Sequence, residues 1–391
     1  MQTYTSFSDP YGHWSAKWDT LPEAVRAKTI ALNIADLEFI TPPSVRAAVI
    51  GAAEHGRYGY TEIFDDFLQA AVSWQTKCHE WTPMVSQAVF FPRIILAVGT
   101  IVAKLLPTQP KLVTLTPAYD PILEVFRENG AKIEFVPLAN QGDRYEIDMG
   151  QLAITLADAD VFLLTNPHNP TGKVFSSNEL AELGKLIDSH PNLMVLSDDI
   201  HADFVWDEHR YEPLARYAPA SWESGRLIQF TSPGKTFAMA GAEAAVAFTG
   251  SDELKIRLEH AKRQMGIHNP NYFAVPAAIA AWGEESDWLT QIKAAVRNNL
   301  DYSQERLNQI PGFKVLPTEG TFLQWVDGTE AGFNIEKQQQ VMELTNVLFS
   351  MGFGFGNFAN FFRLNAAIEP KIYREAIERL LIEIPRVISA K

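Results

Sequence analysis

Three short apolar runs constrain the fold most, because each ends in a cluster of chemically capable polar residues. They are "ADVFLLTNP" (159–167), which continues into "HNPTG", then "LMVLSDDIH" (193–201) and "RLIQFTSPGK" (226–235). An apolar run with no polar alternation suits a strand covered on both faces, as in a parallel sheet. The runs "KLVTLTP" (111–117), "AKIEFVPL" (131–138) and "AAVAFTG" (244–250) extend the series. Amphipathic stretches such as "AYDPILEVFRENG" and "SSNELAELGKLIDSH" lie between them. "SSNEL" starts a helix well, since a serine cap precedes acidic residues that favour the positive helix end. In such sheets ligands bind beyond the carboxyl ends of the strands, which is where the polar clusters fall.

From about residue 285 the pattern changes to a long helix (287–309), short extended pieces ("GFKVLP", "TFLQWVDG", "FFRLNAA") and a terminal helix. The chain is therefore predicted to be α/β, with a mostly parallel central sheet and helices on both faces over 44–284. Residues 1–43 and 285–391 are expected to form a smaller α+β domain. A length of 391 residues is enough for one large core and a smaller one.

Several function classes are disfavoured. The net charge of −14 argues against non-specific nucleic-acid binding and against an anionic membrane surface. One cysteine, Cys78, excludes an internal disulfide and suits a reducing compartment. The opening stretch "MQTYTSFSDPYGHW" has no basic segment followed by an apolar one, so no secretion leader is expected. "AVFFPRIILAVGTIVAKLLP" (88–107) reads as a buried helix and not a membrane span, because Pro92, Arg93 and Lys104 interrupt it. A cytoplasmic protein is the expectation. The nine histidines show no ligand spacing with cysteines or carboxylates, so no metal site is expected. "GFGFGNF" (352–358) lacks the lysine of a phosphate loop. It reads as a loop after a helix, with Phe353 and Phe355 beside a substrate mouth.

Lys235 asks for the most explanation. An isolated loop lysine is usually a surface lysine, but Ser232, Gly234 and Thr236 make a small, hydrogen-bonding turn that suits close approach to an anion. A partly desolvated amine of this kind is a nucleophile that condenses with carbonyls. Asp198 ends an apolar run, where a carboxylate is costly unless paired; a protonated pyridine nitrogen would pair it, and so would a structural cation. His201 and Asn169 offer hydrogen bonds to a ring oxygen, and Tyr119 a flat face, although a histidine, a turn asparagine or a core tyrosine alone has ordinary structural readings. Together they match the groups that hold pyridoxal phosphate.

The residues that carry a family likeness are "NIADLEF" (33–39), "GRYGY" (56–60), "TPAYDP" (116–121), "NPHNPTGKVF" (166–175), "SDDIHADFVW" (197–206), "TSPGKTF" (231–237), "EGTFLQW" (319–325) and "FFRLNAA" (361–367). In their order and spacing the chain resembles the class I/II aminotransferase superfamily, fold type I of the pyridoxal-phosphate enzymes. "NIADLEF" and "SDDIH" make it most similar to the cystathionine β-lyase (carbon–sulfur lyase) branch.

The resemblance implies that Lys235 carries the covalent link to the cofactor aldehyde and acts as the catalytic base. It implies that Asp198 faces the pyridine nitrogen, that Asn169 and His201 bind the ring 3-oxygen, and that Tyr119 stacks on the ring. Ser232 and the backbone at Arg93, Ile94 and Ile95 would hold the phosphate, at a helix N-terminus. Tyr60 would reach the phosphate of a second copy, which makes a homodimer. Arg363 would take the substrate α-carboxylate, with Asn33, Ile34 and Ala35 lining the substrate side. Four positions depart from the family pattern around the phosphate cup: Phe91 stands for a glycine, Gly234 for a serine, Ala238 for a common asparagine, and Glu243 where aminotransferases carry an arginine that the lyase branch also lacks. Arg93 is expected to supply the missing positive charge. The implied activity is β-elimination on cystathionine or related cysteine S-conjugates, in which Tyr60, Tyr119 or Lys235 protonates the leaving thiolate. Transamination by the same residues, and a non-catalytic binding protein on this fold, are the competing readings.

Overall fold

A computed structural model describes residues 4–5, 8–206 and 208–389; the expectation drawn from the first fourteen residues falls partly outside them. In the N-terminal arm lies β1 (Ile30–Ala31). The large sheet takes β2 (Ala88–Phe91), β3 (Lys111–Thr116), β4 (Lys132–Asn140), β5 (Tyr145–Ile147), β6 (Val161–Thr165), β7 (Met194–Asp198), β8 (Leu227–Thr231) and β9 (Ala245–Phe248). The C-terminal part adds β10 (Lys314–Val315), β11 (Leu323–Asp327), β12 (Val347–Leu348), β13 (Ser350–Met351) and β14 (Phe361–Asn365).

The large sheet has the order β2-β9-β8-β7-β6-β3-β4-β5. Its centre, β4-β3-β6-β7-β8, is parallel, while β9 runs antiparallel to both β8 and β2. The apolar runs are continuous because each strand feeds two cores. In β6, Val161 and Leu163 pack into one cluster with Leu112, Leu196 and Ile228, whereas Phe162 and Leu164 pack into the other with Val113, Leu115 and Val195. From β3 the chain steps outward to β4, and from β6 it steps the other way to β7 and β8. The strand order thus reverses between β3 and β6, which opens a crevice at their carboxyl ends.

One expectation is corrected. Residues 88–107 are not a single helix: 88–91 form edge strand β2, paired with β9, and the helix runs only over Ile94–Lys104. Pro92 has no amide hydrogen to continue either element, and Arg93 sits extended as the helix cap (φ −145°, ψ 150°). Among the described residues no helix is long and apolar enough to cross a membrane.

In the C-terminal part β10-β11-β14-β13 form an antiparallel sheet. "GFGFGNF" follows strand β13 here, not a helix as read from the sequence. The preceding helix, Ile335–Thr345, ends at Asn346 in the left-handed conformation (φ 52°), and two short strands intervene. The arm is tied to this part by β1 pairing with β12, by the Asn365 amide on the Leu32 carbonyl (2.9 Å) and by the Glu38 amide on the Ala367 carbonyl (2.8 Å). Residues 33–36 are thereby carried to the mouth of the large sheet.

Candidate active site

Four strand ends supply the crevice. Tyr119 follows β3 and caps the helix Asp120–Glu128; Asn169 follows β6; Asp198 closes β7; Ser232 and Lys235 follow β8. The "NPTG" turn is set by Gly172, which has φ +73° and donates to the His168 carbonyl (2.8 Å). A Cβ there would lie 2.6 Å from Thr318 Cγ2, so no other residue allows this approach of the 318–320 segment.

The Lys235 ammonium donates to the Ala35 carbonyl of the arm. Burial lowers its pKa below the usual lysine range; Asp36 and Asp198 oppose that, while Arg363 and Lys17 add to it. Asp198 is buried, and among the described residues its carboxylate accepts only the Ile200 amide (3.3 Å). Burial pushes it up to about 6, against the pull of the Ile200 amide and Lys235. His201 is buried edge-on to Phe322, and desolvation followed by the Lys235 and Arg363 charges drives it down to about 3, so the ring is neutral. Its Nδ1 has no partner among the described residues.

Arg363 lies in β14 and is 4% exposed. It donates to Asn169 Oδ1 (2.9 Å), the Asn33 carbonyl (2.9 Å) and Ser350 Oγ (3.2 Å), and its Cζ lies 4.8 Å from the centroid of the Phe355 ring. Nε has no partner, and no carboxylate pairs with the guanidinium among the described residues. Desolvation lowers it to about 10, offset by Tyr119. A buried cation with only neutral partners is costly and favours a bound anion. Tyr119, 38% exposed, leaves a ring face open beside it. Phe355 is buried against Arg363 and its carbonyl accepts the Ala118 amide (3.0 Å), whereas Phe353 points to solvent.

At the far end, Ile94 and Ile95 open the helix Ile94–Lys104, whose first amides are free for an anion. Ser232 Oγ accepts the Gly234 amide (3.1 Å) and donates to the Ala244 carbonyl (2.7 Å). A Cβ at Gly234 would sit 3.2 Å from Ser232 Oγ and 3.3 Å from Ala240 Cα, a tight fit that a shift of a few tenths of an ångström relieves. Phe91 is wholly buried in the sheet core. Arg93 is not free to supply charge as expected: its guanidinium pairs with Glu243, which is held at φ +61°. Tyr60 stands apart, 99% exposed on an extended segment with Tyr58 and Phe64 also exposed.

The structure thus brings Lys235, Asp198, His201, Asn169, Tyr119, Arg363, Asn33, Ile34 and Ala35 to one crevice, with Ser232, Arg93, Ile94 and Ile95 at its end and Tyr60 outside it. Sequence reasoning missed Asn365, whose amide holds the Ile34 (2.7 Å) and Asp36 (2.6 Å) carbonyls and so fixes the arm turn. The two-residue period of β14 carried that signal, since it puts Asn365 on the same face as Arg363. It also missed Asp203 and the groups around it. The residues present fit pyridoxal phosphate: an amine for the aldehyde, a buried carboxylate short of partners for the ring nitrogen, an unpartnered imidazole nitrogen, and helix amides for the phosphate.

The family model described as aminotransferase class I and II matches residues 27–380. Cystathionine beta-lyase PatB of Bacillus subtilis is 27% identical over 375 residues, covering 94% of this chain and 96% of the relative. Protein MalY of Escherichia coli is 29% identical over 377 residues, covering 94% of each. The fold matches that of cystalysin from Treponema denticola, solved with a pyridoxal 5'-phosphate cofactor, at a TM-score of 0.91 and 22% identity over 98% of each chain.

Proposed function

The chain belongs to the aminotransferase class I and II family, and we propose that within it the protein is a pyridoxal-phosphate-dependent carbon–sulfur β-lyase. Its substrates are cystathionine or related L-cysteine S-conjugates, cleaved with water to pyruvate, ammonia and a thiol. One observation carries the chemistry: a half-buried amine, Lys235, with its pKa lowered by burial, shares one crevice with a buried carboxylate, Asp198, and with a buried arginine, Arg363, that has no counter-ion among the described residues. The choice of elimination is supported by full-length similarity to a relative named as a cystathionine beta-lyase.

When bound, the cofactor supplies an aldehyde for the substrate amine and a protonated ring that draws electrons from the substrate α-carbon. Asp198, its carboxyl raised to about 6 by burial, would hold the proton of the ring nitrogen, since a cation beside it favours the ionised carboxylate. Asn169 and His201 would hold the ring oxygen, and Tyr119 would supply an aromatic face for the ring. Arg363 holds the α-carboxylate through two parallel hydrogen bonds and sets the Cα–H bond toward Lys235. With its pKa lowered by burial, Lys235 takes the α-proton at Nζ. The sulfur leaves from Cβ with the bonding pair and is protonated by Lys235 Nζ or by a tyrosine hydroxyl, Tyr119 or Tyr60 of a second copy. Ser232 and the amides of Ile94 and Ile95 would hold the phosphate; Arg93 would join them only by leaving Glu243.

The exposure of Tyr60, Tyr58 and Phe64 on one segment supports a homodimer in which Tyr60 completes the neighbouring site. We also propose that 44–284 acts as the cofactor-holding domain, that 1–43 with 285–391 acts as the second, and that the protein is cytoplasmic. Transamination is the second reading, favoured by the family itself. A panel of S-substituted L-cysteines decides. Pyruvate and thiol released without any 2-oxo acid, and lost in Lys235→Ala, carry the lyase reading; turnover only after a 2-oxo acid is added carries the transaminase.

A further inference from the structure

The turn that bears Lys235 is held from below by a single carboxylate. Thr236, the next residue, is 1% exposed, and its hydroxyl donates to Asp203 Oδ2. Asp203 Oδ1 accepts Trp74 Nε1 (3.0 Å) and His79 Nε2 (2.9 Å). Both come from the helix Asp65–His79, which also reaches the end of β8 through Gln75 Nε2 on Thr231 Oγ1 (3.0 Å). Trp74 packs its ring edge-on against Phe237, two residues beyond Lys235, at 5.1 Å. Asp203 itself lies on the turn that carries Asp198 and His201, closed by the Ala202 amide on the Asp199 carbonyl (3.0 Å) and the Phe204 amide on the His201 carbonyl (3.0 Å). Burial alone would raise this carboxylate, but the His79, Thr236 and Trp74 contacts outweigh it and hold it below the usual range. One anion therefore joins three segments: the acid-bearing turn, the amine-bearing turn and a helix that touches neither the cofactor nor the substrate.

We propose that Asp203 is a positioning residue for Lys235: through the Thr236 hydroxyl it fixes the amine-bearing turn to the segment that carries Asp198 and His201, so that base and ring acid keep a constant separation. The inference rests on the cofactor chemistry proposed above. Loss of the tie lets the amine swing away from its line to the substrate α-carbon, which costs rate and not substrate affinity.

Thr236→Val keeps shape and burial and cuts only the hydroxyl tie; Thr236→Ser restores it. Three readouts are taken on protein loaded with pyridoxal phosphate: kcat and KM separately, the pH midpoint of the visible absorbance of the Lys235-linked cofactor, and the rate at which stripped protein recaptures pyridoxal phosphate. Thr236→Val is expected to lower kcat at least tenfold with KM within twofold, to move the absorbance midpoint by half a pH unit or more, and to slow recapture. Thr236→Ser is expected to return all three to within twofold of wild type. Asp203→Asn should shift the same readouts in the same direction, and if it does not fold the threonine pair still decides. Wild-type values in Thr236→Val, or a Thr236→Ser that behaves like Thr236→Val, overturn the clamp. A wild-type protein that never colours with the cofactor overturns the proposed function and the clamp with it.

Discussion

Asp198 and Asp203 leave the same strand end, five positions apart, and meet opposite fates. Asp203 receives an indole N–H, an imidazole nitrogen and a hydroxyl, and its carboxyl falls below the usual range. Asp198 receives one backbone amide, and its carboxyl rises to about 6. Three buried cations divide in the same way. Lys17 pairs with Glu38 at 2.6 Å and Lys173 with Glu179 at 2.9 Å, whereas Arg363 meets only neutral groups among the described residues. A buried charge answered inside the protein belongs to the scaffold; one left short is an opening for a ligand.

The same substitution at the two acids is therefore expected to have opposite effects. Asp198→Asn should lower turnover about a thousandfold, roughly 4 kcal/mol of barrier, yet stabilise the stripped protein. A carboxyl raised to about 6 when folded contributes stability that is complete below its unfolded value and is lost as pH rises through 6. At pH 8 the asparagine should thus gain about 3 kcal/mol over wild type, and almost nothing at pH 4. Asp203→Asn should instead cost about 3 kcal/mol at pH 7, since it breaks a buried pair. Its carboxyl is depressed, so that loss fades as pH falls through the folded value. Urea midpoints from pH 4 to 8 read both signs; two curves moving the same way would end the distinction.

Arg363 tests the cationic side. Arg363→Lys keeps the charge but not the planar pair of donors, and kcat/KM should drop about a hundredfold, mainly through KM. The stripped protein should change little in stability, because the charge never had a counter-ion to lose. A variant with unaltered KM would place the substrate carboxylate elsewhere.

What could be read in advance follows the same line. Lys235, Asp198, Asn169 and Arg363 sit in short linear motifs at strand ends, and the apolar runs before them announce a sheet buried on both faces. The answers to buried charges are not local. Trp74 and His79 come to Asp203 from a helix more than a hundred residues earlier, a pairing no spacing rule reveals. The exchange of a base for Glu243 was visible, but not that Arg93 would be spent on it. Strand β2 was hidden because four apolar residues beside a helix look like more helix until β9 pairs with them.

The smallest effect tests the scaffold side far from the chemistry. Ser176 caps the helix Ser177–Asp188: its Oγ accepts the Glu179 amide (3.3 Å), and the Glu179 carboxylate returns to the Ser176 amide (3.0 Å). The same Glu179 carboxylate neutralises Lys173, which is 4% exposed on the segment just after the Asn169 turn. Ser176→Ala removes one acceptor for the free helix amides and should cost about 1 kcal/mol of stability. Glu179 keeps its contact with Lys173, so the turn that holds Asn169 against Arg363 should not shift, and kcat should stay within twofold. If this exposed cap instead cost tenfold in turnover, the charges answered inside the fold would be tuning the reaction, and scaffold and site could no longer be told apart by which charges are paired.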